Sequence, residues 1–279
     1  MVDKSEGAFE AGLSKVDSGF KSVLRNLPFR EDRHLPPNWL HWEMLERYRV
    51  LQPAGIQEAM RVLEVGAGAH AIATVPLAHL VGPEGRVVAV ERERWSFFRQ
   101  IVGDAGLEER VLSTACDART LPFPSETFDL ATCVHGIRSL REEAIMVEVF
   151  REMLRVAPRL FLTESLPEAR NEAQRAHLAM YNLREEVFEA VLGYKDDIHY
   201  LPLERLGGLV EEAGGRLVES RVIDVDLPHF LAFLPREYVE RVGDDAIRED
   251  LLRRWDEANR LLKRYGAEHP PVAVLLAER

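Results

Sequence analysis

The stretch Arg61-Val62-Leu63-Glu64-Val65-Gly66-Ala67-Gly68-Ala69-His70 decides the fold of this chain. Its first five residues form a short, largely apolar run of the kind that makes a buried strand. Gly66 and Gly68 then mark a tight bend into a helix. Glycines are needed at such a bend when a ligand must approach the backbone where a Cβ would collide. Ligands of open α/β sheets bind beyond the carboxyl ends of the strands, and a helix N-terminus there favours an anionic group. On its own the segment leaves three readings open. Residues 66–71 also satisfy the GxGxxG/A pattern of dinucleotide sites, and a glycine turn without a ligand is the third.

Outward from this bend the same grammar repeats. RVVAVE (86–91), RVLSTAC (110–116), FDLATCV (128–134) and RLFLTES (159–165) are Val/Leu-rich runs separated by stretches of helical length. Strands alternating with helices imply βαβ units and a parallel sheet covered on both faces. RLVESRVIDVDL (216–227) and PPVAVLLAER (270–279) complete the set. The expected fold is α/β: a Rossmann-like, seven-stranded, mostly parallel sheet with helices on both faces and helical additions at the N-terminus and as a lid.

The expected organisation is an N-terminal helical cap (1–55), a core (56–165), a helical lid (166–200) and the remainder of the core (201–279). A helical insertion (236–265) separates the last two strands. Phe9, Leu13, Val16, Phe20, Val23, Leu24 and Leu27 recur at steps of three and four, predicting one amphipathic helix ended by Pro28. A loop at Pro36-Pro37 and a second helix, Trp39 to Leu51, follow. The first helix suits either a membrane surface or, more commonly, a cap on the core.

Bulk composition narrows the function classes. The 279 residues carry a net charge of −11, which disfavours a nucleic-acid substrate bound through its phosphates. No apolar run approaches the ~20 residues that cross a bilayer, and the opening MVDKSEGAFE lacks the layout of a secretory signal. Peripheral membrane contact stays open. The two cysteines form no CxxC pair or metal spacing, so the expectation is a reduced, cytoplasmic protein without a metal.

Three acids follow strands in turn. Glu64 precedes the glycine bend. Glu91, with Arg92 after it, ends the second run, where a carboxylate can accept from two ribose hydroxyls. Asp117, between Cys116 and Ala118, closes the third and can accept adenine amino hydrogens. Leu121-Pro122-Phe123, Phe128-Asp129 and the run through Cys133 come next.

From Arg61 to about Ser165 this order resembles the class I methyltransferases that use S-adenosylmethionine (SAM), of the type 11-like kind. Glu64-x-Gly66-x-Gly68 is similar to their first motif, Glu91 to their ribose-binding acid and Asp117 to their adenine-binding acid. LPFPSETFDLATC is similar to their loop and fourth strand. The resemblance implies SAM as cofactor, with Ala67, His70, Arg92, Cys116, Ala118 and Cys133 flanking it. His70 departs from the family, which has a third glycine or another small residue there.

A shorter segment, Val134-His135-Gly136-Ile137-Arg138-Ser139-Leu140, resembles the Gly-Leu-Arg-Asn segment of the ubiquinone/menaquinone-biosynthesis C-methyltransferases. That resemblance implies a part for Arg138 in deprotonating a ring substrate, while Ser139 replaces the usual asparagine. The alternative for Arg138 is a pairing with Glu142. His135, His199 and Tyr200 are the candidate bases or orienters. Trp39, Trp42, Tyr181, Phe188, Tyr194 and Tyr200 are candidates to line an acceptor pocket, and about two of them are expected to do so.

The resulting expectation is methyl transfer to a small, partly apolar acceptor, quinol-like or aromatic, by a monomer or homodimer. An NAD(P)-dependent oxidoreductase is disfavoured by Glu64 and leaves Asp117 without a task. A SAM-binding module without activity is the remaining alternative.

Overall fold

The computed structural model describes residues 9–29, 38–92, 95–193, 199–227 and 234–279. Pro36-Pro37 and Tyr194 lie outside these residues. The sheet is formed by β1 (Arg61–Val65), β2 (Arg86–Glu91), β3 (Val111–Ala115), β4 (Leu130–Val134), β5 (Arg159–Ser165), β6 (Arg216–Ile223) and β7 (Val272–Glu278). Their spatial order is β3-β2-β1-β4-β5-β7-β6. The pairs β1–β2, β1–β4, β2–β3 and β4–β5 are parallel, whereas β7 runs antiparallel to both β5 and β6. Strand order reverses between β1 and β4, and such a switch point opens a crevice at the carboxyl edge.

Alternation along each strand separates two cores. Val62, Leu130, Phe161, Val272 and Val274 face one side. There they meet α1 (Ser18–Asn26), α2 (Trp39–Leu51), α3 (Thr74–Leu80) and α4 (Trp95–Asp104). Leu63, Ala131, Leu160, Leu162, Ala273 and Leu275 face the other, against α5 (Glu143–Val156) and α7 (Leu203–Glu212). Helices α6 (Glu172–Leu192), α8 (Arg236–Glu240) and α9 (Asp245–Tyr265) build a third core around Met180, Leu183, Phe188, Tyr238 and Leu251. The 236–265 helices therefore pack against α6, on the edge that carries the expected lid.

The predicted single N-terminal helix is two pieces. Residues 9–13 are helical, a turn follows, and α1 restarts at Ser18. Asp17 causes the break, because its extended backbone and its carboxylate, accepting from the Phe20 N–H, make it an N-cap. Leu13, Phe20 and Leu24 are buried in the first core. The apolar side of this segment is thus covered by protein, and the membrane-surface reading loses its hydrophobic face. Among the described residues no helix is long and apolar enough to cross a membrane.

Asp17 also ties the cap to the sheet domain. The Tyr48 hydroxyl donates to it at 2.6 Å, and His79 Nε2 lies 3.0 Å away. Burial opposes ionisation, but the Tyr48, Phe20 and His79 hydrogen bonds outweigh it and hold the carboxyl down to about 2. A depressed acid stabilises the fold above its unfolded value and loses that contribution as pH falls through the folded one. Asp17→Ala is expected to lower stability by about 1 kcal/mol in urea unfolding at pH 7, the usual effect of losing an N-cap. The gap between variant and parent should narrow as pH drops from about 4 to 2.

Candidate functional site

Two halves of the carboxyl edge meet at the switch point. On the β1 side, Gly66 takes φ +76° and Gly68 φ +67°, left-handed values that glycine adopts without strain. The Gly66 and Ala67 N–H groups donate to the Val90 carbonyl at 2.9 and 3.2 Å, clamping the bend to β2. A Cβ built on Gly68 would meet nothing within 4 Å, so open space lies above the bend. One built on Gly66 would come 3.7 Å from Gly136 Cα, which puts the bend against the turn after β4. Gly136 is itself required: a Cβ there would lie 2.8 Å from Cys133 Sγ.

The acids at the strand tips are placed as follows. Glu64 is buried, and Thr74 Oγ1 donates to it at 2.5 Å. Burial and neighbouring Glu91 raise its carboxyl to about 7 against the Thr74 hydrogen bond. Glu91 turns toward the bend and accepts from the Gly68 N–H at 3.2 Å and the Arg92 N–H at 2.8 Å. Asp117 is clamped by Arg119, whose Nη2 donates at 2.7 Å, and this pairing holds the carboxyl down to about 2. Cys116 and Ala118, beside it, are half-buried and pack against the second core. Cys133 belongs to that core, and burial pushes its thiol up. His70 meets Trp39 edge-on at 5.1 Å and stacks on Phe97 at 5.8 Å. Phe128 is buried with its ring edge-on to Phe123.

On the β4–β5 side lies a cluster of buried polar groups. Glu43, Glu46 and Arg47 come from α2, His135 from the tip of β4, Glu164 from β5, His177 from α6 and His269 from the segment before β7. None is more than 7% exposed. Charged residues are almost never buried unless paired, and these are paired. Arg47 bridges Glu43 at 3.1 Å and also contacts Glu46. Glu164 accepts from the N–H groups of Arg138 at 3.2 Å and Ser165 at 3.1 Å, with Arg138 Nε at 3.6 Å. Arg138 thus pairs with Glu164 rather than with Glu142.

His135 sits at φ +52°, left-handed for a residue with a side chain. Its Nδ1 is 2.8 Å from Ser165 Oγ and its Nε2 3.2 Å from Glu46 Oε1. A pocket of about 50 Å³ opens beside this cluster, lined among others by Arg47, Arg138, Ser165, His177, Tyr181 and Tyr200. The Tyr200 hydroxyl hydrogen-bonds with Arg138 and Tyr181, and the His199 N–H donates to the Arg138 carbonyl at 2.9 Å while its side chain is exposed.

Of the aromatic candidates, Tyr181 and Tyr200 line this pocket. Trp39 and Trp42 lie in the first core and Phe188 in the third. Among the described residues no group of three or more His, Cys, Asp or Glu has a metal-holding arrangement.

The residues that sequence reasoning missed are Glu43, Glu46, Arg47, Glu164, Ser165, His177 and His269. A signal for two of them was present, since Glu164-Ser165 ends an otherwise apolar strand at its carboxyl tip. The α2 acids carried none, because helix charges ordinarily read as a solvated face.

Raised Glu64 makes a stability claim with the opposite sign to Asp17. Its contribution is complete below the unfolded value near 4.5 and is lost as pH rises through about 7. Melting curves across pH 5 to 8 are expected to show a decline in the parent that Glu64→Gln flattens.

Comparison with known proteins agrees with this geometry. Residues 62–159 match the family model described as a methyltransferase domain. The chain is 25% identical over 217 residues to the Ubiquinone/menaquinone biosynthesis C-methyltransferase UbiE of Cellvibrio japonicus (strain Ueda107), covering 74% of this chain and 85% of that one. It is 32% identical over 144 residues to the protein of the same name from Pseudomonas fluorescens (strain Pf0-1), covering 51% and 53%. In structure it is similar to a cyclopropane-fatty-acyl-phospholipid synthase-like protein from Lactobacillus casei ATCC 334, at TM-score 0.65 and 10% identity over 95% of this chain and 100% of that one. That last likeness concerns the fold alone. The strand order, the glycine bend and the matched domain together support a class I SAM-dependent methyltransferase.

Proposed function

We propose that this enzyme methylates a small, partly apolar acceptor carrying an acidic hydroxyl on a ring, of the quinol or phenol class. The observation that carries the reading is the pocket beside the β4 tip, whose lining includes Arg138, Tyr181 and Tyr200. Aromatic walls suit a flat ring, and a fixed cation beside its hydroxyl favours the anionic, more nucleophilic form. The relatives named for quinone biosynthesis support the same class.

The residues at the bend fit the cofactor. The open space above Gly68 admits a ligand against the backbone, and Glu91 and Asp117 offer acceptors at adjacent strand tips for ribose hydroxyls and an adenine amino group. Gly66, Ala67 and Gly68 would hold the amino-acid end, with His70, Arg92, Cys116, Ala118 and Cys133 around it. When bound, SAM supplies an electrophilic methyl on a sulfonium. The protein's task is then to orient the acceptor in line, exclude water and take up the hydroxyl proton.

At about 50 Å³ the pocket is far smaller than the roughly 300–1,000 Å³ of typical ligand sites. Entry of a ring therefore requires the wall formed by Tyr181 and Tyr200 to move outward. Helix α6, which carries Tyr181, is assigned to that movement.

Two measurements test this reading. Glu91→Ala is expected to weaken calorimetric binding of S-adenosylhomocysteine by about 1–3 kcal/mol, through lost hydrogen bonds to the ribose. Labelled methyl from SAM should appear on reduced naphthoquinones or simple phenols, and Arg138→Ala should lower kcat/KM by about 10²-fold. Absence of transfer to every quinol and phenol offered would remove the acceptor class.

A further inference from the structure

We infer that Ser165, His135 and Glu46 form a proton relay in which Ser165 meets the acceptor hydroxyl, His135 takes the serine proton and Glu46 positions and balances the imidazole. This deepens the proposed function and rests on its acceptor class. The three residues form a chain of contacts through the two ring nitrogens of His135. Ser165 lines the pocket. His135 lies behind it, with Nδ1 2.8 Å from Ser165 Oγ and Nε2 3.2 Å from Glu46 Oε1. Glu46 Oε1 lies nearer to Nε2, at 3.2 Å, than Glu164 Oε1 lies to Nδ1, at 3.7 Å, so the relay assigns the hydrogen to Nε2 and leaves Nδ1 its lone pair. Ser165 must then donate to His135, which leaves the serine oxygen lone pairs for a hydroxyl in the pocket.

The transfer balances. The acceptor O–H proton moves to Ser165 Oγ, and the serine's own proton moves to His135 Nδ1. Serine stays neutral, the acceptor oxygen becomes anionic and the ring becomes imidazolium beside the Glu46 carboxylate. Arg138, on the same pocket, faces the new anion.

Backbone geometry supports the assignment. His135 is kept in a left-handed conformation by its N–H, which donates to the Thr163 carbonyl at 2.8 Å. Strain of this kind collects at sites where a side chain must be aimed. Other groups also face the imidazole. Glu164 Oε1 is 3.7 Å from Nδ1, and His269 lies edge-on at 6.1 Å with its own Nε2 3.6 Å from Glu46 Oε1. His269 Nδ1 is 2.7 Å from the Pro270 carbonyl, and burial keeps this ring neutral. Arg47 contacts Glu46 from the next position on α2. A proton on His135 is therefore balanced by Glu46 on α2, with Glu164 next in distance, and a helix outside the matched methyltransferase domain completes the site.

The relay is tested with the full chain, SAM and 1,4-naphthohydroquinone. Ser165→Ala and His135→Asn are expected to lower kcat by about 10² or more, with S-adenosylhomocysteine affinity unchanged as evidence of folding. Ser165→Thr should restore most of the rate, and Glu46→Gln should move the ascending limb of kcat against pH to lower pH. Ser165→Ala with the parent's kcat would overturn the proposal. Nitrogen-15 NMR of histidine-labelled protein gives an activity-independent reading, with His135→Asn assigning the signal. The Nε2–H tautomer is expected, and an Nδ1–H tautomer overturns the relay. If the naphthohydroquinone accepts no methyl, the acceptor class fails while the tautomer still decides the relay.

Discussion

The removal of several charges from water at one edge of the sheet is the constraint on which the rest of this structure depends. Glu43, Glu46, Arg47 and Glu164 are all buried, and each would cost several kcal/mol in isolation. They are tolerable only because Arg47 sits between two α2 acids and Arg138 lies against Glu164. Those partners come from an N-terminal helix, a strand tip and the turn after another strand. Satisfying them requires α2 to lie against the carboxyl edge, so the helical cap is part of the site and more than an apolar cover.

That requirement divides the edge into two workplaces. The β1–β3 tips present a backbone bend and exposed acceptors, with little buried charge beyond Glu64. The β4–β5 tips present a shielded electrostatic environment. Gly66 and Gly136 touch at the reversal of strand order, so a ligand over the bend would lie next to the turn carrying His135 and Arg138. Helix α6, braced by α8 and α9 through the third core, supplies Tyr181 and His177 to the far wall. Burial, with Arg184 nearby, drives His177 down to about 3, so that wall stays uncharged at His177.

Legibility followed the range of the interactions. The strands, the glycine bend and the Glu64, Glu91 and Asp117 positions could be read because each is a local pattern: an apolar run, a small residue, an acid at a strand end. The continuous N-terminal helix was misread because periodicity reports which face is apolar and says little about a cap such as Asp17. Arg138 stands out by its motif, but the only carboxylate the sequence offers it as an alternative partner is Glu142, four residues away, whereas the structure pairs it with Glu164 on the neighbouring strand. His135 was singled out without the Glu46 and Ser165 that flank it.

By itself the sequence determined the α/β class, the strand sequence and the chemistry available at the tips, because hydrophobic alternation and glycine placement act over a few residues. Only the tertiary structure decided that α2, helical in either case, turns its acids inward. It also decided that β7 inserts antiparallel between β5 and β6, bringing His269 beside Glu46. Those choices rest on pairing charges more than a hundred residues apart in some cases, and no local pattern encodes a distance in space.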